Sequence, residues 1–174
     1  FLSLEEISAA VSEGARLGIP TAAHCIGGQG LKDCIDGGVD VIEHMYMASE
    51  QDVERLAASR CVVDLTSGIF LDPSREEFLS PANALKVRLN RSRVRENVAR
   101  IIKARLPFVL GTDAYHGFLY REVGYAVELG AAPVTAIQGV TSRAARVCRL
   151  EDRIGKLENG MEADIIAVEG NPLE

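Results

Sequence analysis

Val109-Leu110-Gly111-Thr112-Asp113-Ala114 is the stretch on which the reading of this chain turns. An apolar run of β-type residues from Phe108 stops at a turn-forming Gly-Thr-Asp, so a buried strand with a carboxylate at its tip is expected. A carboxylate in that place costs desolvation energy unless a cation, a proton or a set of donors meets it. Two histidines stand in the same kind of place upstream. Pro20 to His24 is a short strand of small residues that ends in a histidine, and Val39 to Glu43 is a second that runs into His44. Cys61 to Leu65 supplies another strand between these and Val109.

Helical segments separate the strands. Ser3-Leu4-Glu5-Glu6 is a capping box, and Ile7, Ala10, Val11, Ala15 and Leu17 continue an apolar face until Gly18 and Pro20 stop it. Gly27-Gly28-Gln29-Gly30 opens a second helix, from about Leu31 to Asp36, which Gly37-Gly38 ends. Glu50 to Ser59 reads as a third, followed after the Cys61 strand by a long loop through Pro73 and Pro81. A long helix from Ala82 to Arg105 presents Leu85, Leu89, Val94, Val98, Ile101 and Ile102 on one side, and an arginine-rich side that reads as solvated surface. Helices from Arg121 to Leu129 and from Pro133 to Val147 complete the pattern. Strand and helix alternate four times with short connections, the signature of an α/β fold with a parallel sheet. Residues 154–168 differ, reading as two short strands joined by a glycine-rich turn. The expected division is therefore 1–148 for the α/β unit and 149–174 for the edge of a β module.

Composition limits the partners. At 174 residues and 47% hydrophobic, the chain has enough apolar material for one sizeable core. A net charge of −6 and a pI near 5.2 remove the basic footprint of a nucleic-acid binder. No apolar run reaches the roughly 20 residues that span a bilayer, so no membrane partner is expected. Cys25, Cys34, Cys61 and Cys148 form no paired motif and read as small buried thiols, which fits a reducing, cytoplasmic setting. Strand alternation points Cys25 away from whatever His24 faces.

In parallel α/β folds the functional groups gather where strands end and the next loops begin. His24, His44 and Asp113 occupy that place on three strands and converge on one face. Neutral imidazoles are zinc ligands, and an aspartate either binds metal or takes a proton from metal-activated water, so the conjunction points to a hydrolytic metal site. Taken singly, each histidine reads more readily as a hydrogen-bonded structural residue, and it is the conjunction that points to metal. His116 follows Asp113 by three positions and is read either as a substrate contact or as an exposed loop residue. Glu43 is expected on the side of its strand opposite His44, in a structural role.

These residues resemble the amidohydrolase superfamily, in particular its imidazolonepropionase-like and Xaa-Pro dipeptidase-like members. The resemblance is carried by Ala22-Ala23-His24 with the glycine-rich turn after it, by Gly38-Val39-Asp40-Val41-Ile42-Glu43-His44 and by Gly111-Thr112-Asp113-Ala114. Thr141-Ser142-Arg143-Ala144-Ala145-Arg146 and the ending from Gly155 through Asp164-Ile165-Ile166 to Gly170-Asn171-Pro172-Leu173 are similar to the family's last barrel helix and its return into a small β-sandwich.

The resemblance implies the C-terminal half of a (β/α)₈ TIM barrel, strands 5–8, with part of a β-sandwich. It implies one or two divalent metal ions, zinc first. His24 and His44 would be ligands, and Asp113 both ligand and proton shuttle for hydrolysis of an amide bond in a peptide-like or cyclic-amide substrate. The family's His-x-His on the first strand and its frequent strand-four lysine have no counterpart here. A whole barrel takes eight strands and typically about 250 residues. The chain is thus expected to be inactive alone and to associate with a missing N-terminal half or with its own copies. Two other readings stand beside this one. One is a non-catalytic half-barrel that serves as an assembly partner. The other is a nucleotide-binding module, for which Gly28-Gln29-Gly30 lacks the third glycine, Asp33 standing in its place.

Overall fold

The computed structural model describes residues 2–113 and 116–173, His116 in its main chain only. The elements in order are α1 (Leu4–Leu17), β1 (Ala22–Cys25), α2 (Gln29–Gly37), β2 (Val41–His44), α3 (Glu50–Ala57), β3 (Val62–Leu65) and the short α4 (Gly68–Leu71). A 3₁₀ turn over Pro73–Phe78 leads to α5 (Pro81–Lys103) and β4 (Phe108–Leu110). A second, over His116–Phe118, precedes α6 (Leu119–Glu128), α7 (Pro133–Val140) and α8 (Ser142–Val147). The capping box forms: Ser3 Oγ accepts from the Glu6 N–H, and Glu6 Oε2 accepts from the Ser3 N–H at 2.7 Å. Among the described residues, no helix is long and apolar enough to cross a membrane.

The four strands form one parallel sheet in sequence order, β1-β2-β3-β4. Register separates its two faces, because side chains alternate along each strand and paired residues share a side. Ile42, Val63, Leu65, Phe108 and Leu110 join the core with the helices. The other face carries the row His24↔Glu43↔Asp64↔Val109. Glu43 therefore shares a face with His24, and its expected place away from the site is corrected.

Five further expectations are corrected. The long loop at 66–80 is built structure: it folds into α4 and the 3₁₀ turn, and Arg75 within it is fully buried against Glu122. On α5 the buried stripe is Ala84, Val87, Val94, Asn97, Val98, Ile101 and Ile102, whereas Leu85 and Leu89 face outward. Several α5 arginines are also more than solvated surface. Arg91 Nε donates to the Phe70 carbonyl at 2.6 Å, Arg91 and Arg88 bind Glu76, and Arg100 donates to the Ala48 carbonyl at 3.2 Å. The helix expected over Pro133–Val147 breaks at Thr141 into α7 and α8.

The fifth correction concerns residues 154–168, which carry no strand. Their main-chain bonds include a turn, Met161 N–H to the Glu158 carbonyl at 3.2 Å, and a cross-link between two stretches, Glu162 N–H to the Arg153 carbonyl at 2.8 Å. Ile165, Ile166 and Val168 stay exposed. A pair of short strands is marginal without further strands to extend it.

Candidate metal centre at the strand ends

His24 is the third residue of β1 and lies on the face opposite the core. His44, the last residue of β2, is in register with Cys25, which is buried in the core as expected. Alternation alone would therefore separate the two histidines. The backbone changes that outcome: His44 and Met45 both take left-handed conformations, with φ of 78° and 53°. The ring centroids of His24 and His44 lie 4.5 Å apart, edge to face. Left-handed backbone is costly for non-glycine residues and persists where the surroundings determine it.

Those surroundings are specific. His44 Nδ1 bonds Thr66 Oγ1 at 2.7 Å, and its ring stacks on Tyr46 with centroids 5.2 Å apart. The Tyr46 hydroxyl donates to the Thr66 carbonyl at 2.9 Å and lies 2.5 Å from Thr66 Oγ1. Buried Asn97 of α5 donates to the Tyr46 carbonyl at 2.8 Å, and Arg100 donates to Asn97 Oδ1 at 2.8 Å. On the other side of the pair, Asp52 Oδ2 accepts the Gly28 N–H at 3.2 Å, so that main-chain donor in the glycine-rich turn after β1 is already taken. Burial, followed by the neighbouring His24, lowers the pKa of His44, and the charges of Asp113 and Glu43 oppose that.

Asp113 departs from expectation. β4 ends at Leu110, and Asp113 stands exposed beyond it with φ of 60°. Its charge reaches His44, Tyr46 and Asp64. Among the described residues, however, no three His, Cys, Asp or Glu side chains close into a metal-binding group. The structure thus brings His24 and His44 together and leaves Asp113 nearby but apart. The side chain of His116 and all of Ala114 lie outside the described residues. Cys148 is exposed, which corrects its reading as a buried thiol. Burial pushes the Cys34 thiol up to about 11.

Asp64 was missed. It completes the inner row beside His24 and Glu43, and burial, then Glu43 and Asp113, pushes its pKa up to about 6. Its carboxylate lies against Gly111, where a Cβ would come within 2.7 Å of Oδ2. The glycine of the Gly-Thr-Asp stretch is thereby explained as room for Asp64. Strand alternation carried the signal for Asp64, which falls two residues after Val62 on the same face.

The donor set suits a divalent cation of the zinc class. Two imidazoles converge, and Thr66 engages Nδ1 of one of them.

The sequence pattern described as the amidohydrolase family matches residues 2–174. The chain belongs to the amidohydrolase family. It is 34% identical to the ochratoxinase of Aspergillus niger over 182 residues, covering 99% of this chain and 37% of that one. It is 25% identical to the imidazolonepropionase of Desulfotalea psychrophila over 151 residues, covering 83% and 32% of the two chains. Among solved structures, a Xaa-Pro dipeptidase with methionine bound in its active site superposes with a TM-score of 0.87 at 28% identity, covering 99% of this chain and 44% of the other. The A. niger ochratoxinase structure gives 0.82 at 30%, covering 99% and 40%. The chain therefore spans roughly two fifths of the length of these relatives. The α/β architecture with parallel strands and the membership in a hydrolase family agree with what the sequence led one to expect.

Proposed function

We propose that the protein carrying this amidohydrolase chain hydrolyses an amide C–N bond in a small peptide-like or cyclic-amide substrate. The observation that carries the reading is the His24–His44 pair, held at 4.5 Å by a left-handed turn and a threonine hydrogen bond in a chain of this family. In this reading residues 1–148 are strands five to eight of a barrel, and 149–174 belong to its β-sandwich. His24 and His44 hold the cation, and Asp113 joins them.

The cation, zinc by its preference for imidazole and carboxylate donors, supplies Lewis-acid polarisation and acidifies water. Asp113 takes the proton of the attacking water and returns it to the leaving nitrogen. Its exposed place beyond β4 leaves the carboxylate accessible for that exchange. His116 contacts substrate. The unpaired edges of β1 and β4 accept further strands, from the rest of the same protein or from another copy. The 174 residues alone turn over no substrate at enzyme-like rates, because two imidazoles are an incomplete ligand set.

The test is hydrolysis of N-acyl amino acids, dipeptides and cyclic amides by the full-length protein and its Asp113→Asn variant. Loss of about 10²-fold or more in kcat with metal content retained is expected. Undiminished turnover by Asp113→Asn would overturn the assignment.

A further inference from the structure

The hydrogen bonds behind His44 can be assigned by counting protons. The Thr66 carbonyl can only accept, so the Tyr46 hydroxyl spends its one proton there, at 2.9 Å. The 2.5 Å contact between the Tyr46 oxygen and Thr66 Oγ1 then needs the Thr66 proton. With that proton committed, Oγ1 can meet His44 Nδ1 at 2.7 Å only as an acceptor, and Nδ1 carries the hydrogen. In a neutral imidazole the lone pair is then on Nε2.

The supporting residues are placed as such a lock requires. Thr66 and Tyr46 are buried, so neither exchanges its partner for bulk water. Asn97 interrupts the apolar stripe of α5 between Val94 and Val98, a place where an amide costs desolvation unless it is bonded. Its two bonds run to the Tyr46 carbonyl and from Arg100, and Arg100 also holds the Ala48 carbonyl. The turn of residues 45–48 is thus tied from α5, with Tyr46 held against Thr66.

We propose that Thr66, backed by Tyr46 and Asn97, is a positioning residue that locks His44 in the Nδ1–H tautomer and leaves Nε2 as the ligating nitrogen. The lock itself concerns the metal-free chain, and its consequence for metal rests on the reading of His44 as a ligand. Hydrogen bonds of this kind to metal-binding histidines are worth about 10–100-fold in affinity.

Nitrogen-15 NMR of the imidazoles in the metal-free chain at pH 8 reads the tautomer directly, followed by titration with zinc alone. The expected result is a single Nδ1–H form for His44. Thr66→Val, which keeps the shape and removes the acceptor, gives a mixture of tautomers and weakens zinc about 10–100-fold, and Thr66→Ser restores both. Tyr46→Phe provides a second arm, since it frees the Thr66 proton to donate to Nδ1 and enriches the Nε2–H form. An Nε2–H form in the unaltered chain, which a Tyr46 proton shared between both Thr66 oxygens would produce, overturns the proposal. So does an unchanged tautomer in Thr66→Val. A locked Nδ1–H form in a chain whose two histidines ignore zinc upholds the lock and overturns the metal reading instead.

Discussion

Residues 66–79 and residues 149–173 invert what their local patterns suggest. The first segment, proline-bearing and charged, reads as a loop, yet two crossed ion pairs hold it. Arg75 meets Glu122 at 3.0 Å, Arg121 meets Asp72 at 2.5 Å, and both guanidinium groups lie over the Phe118 ring. Glu122 also accepts the Gly68 N–H with both oxygens at 3.0 Å, where a Cβ on Gly68 would come within 2.4 Å of Oε1. The second segment has the alternation of a hairpin but forms no strand, and Ile165 and Ile166 stay exposed. Order follows the partners a segment finds rather than its local pattern. The clasp also ties the segment after β3 to α6, the helix that follows the loop carrying Asp113.

The largest expected effect is on the clasp. Arg75→Met strands the Glu122 carboxylate in a buried site and should cost about 3–5 kcal/mol in urea unfolding, and adding Glu122→Leu should recover much of that loss. A cost below about 1 kcal/mol would mean that the clasp does not order the segment.

A smaller effect is expected from Asp64. Its folded pKa is raised from 3.8 to about 6, so the folded state binds the extra proton, and its contribution fades as pH rises from about 4 to about 6. Asp64→Asn should therefore flatten stability across that window and raise it at pH 8 by about 1–2 kcal/mol. A penalty at pH 8 would show that the carboxylate is needed as an anion.

The smallest change is expected in the other segment, where Ile166→Ser should alter stability by less than about 0.5 kcal/mol. A loss beyond 1 kcal/mol would show that the segment is packed after all.

The same contrast explains what could be read from the sequence. The helix starts, the strands and their parallel order were legible because Ser3, Gly18, Gly37 and Pro133 punctuate apolar runs of the right length. His24, His44 and Asp113 were picked out by their places at strand ends. Nothing local told of Arg75 and Glu122, which are 47 positions apart, or of Asn97, an amide that only its bond to the Tyr46 carbonyl explains. The left-handed turn at His44 was equally hidden, since His-Met carries no turn signal. That turn decides whether the two histidines meet.

The central claim is that His24 and His44 together hold a divalent cation. Zinc titration of the chain, followed through the imidazole nitrogen-15 resonances, tests it most directly. Both histidines should respond along one binding curve, and His24→Ala should abolish the response of His44. Resonances that stay fixed, or that move independently with different affinities, would contradict it.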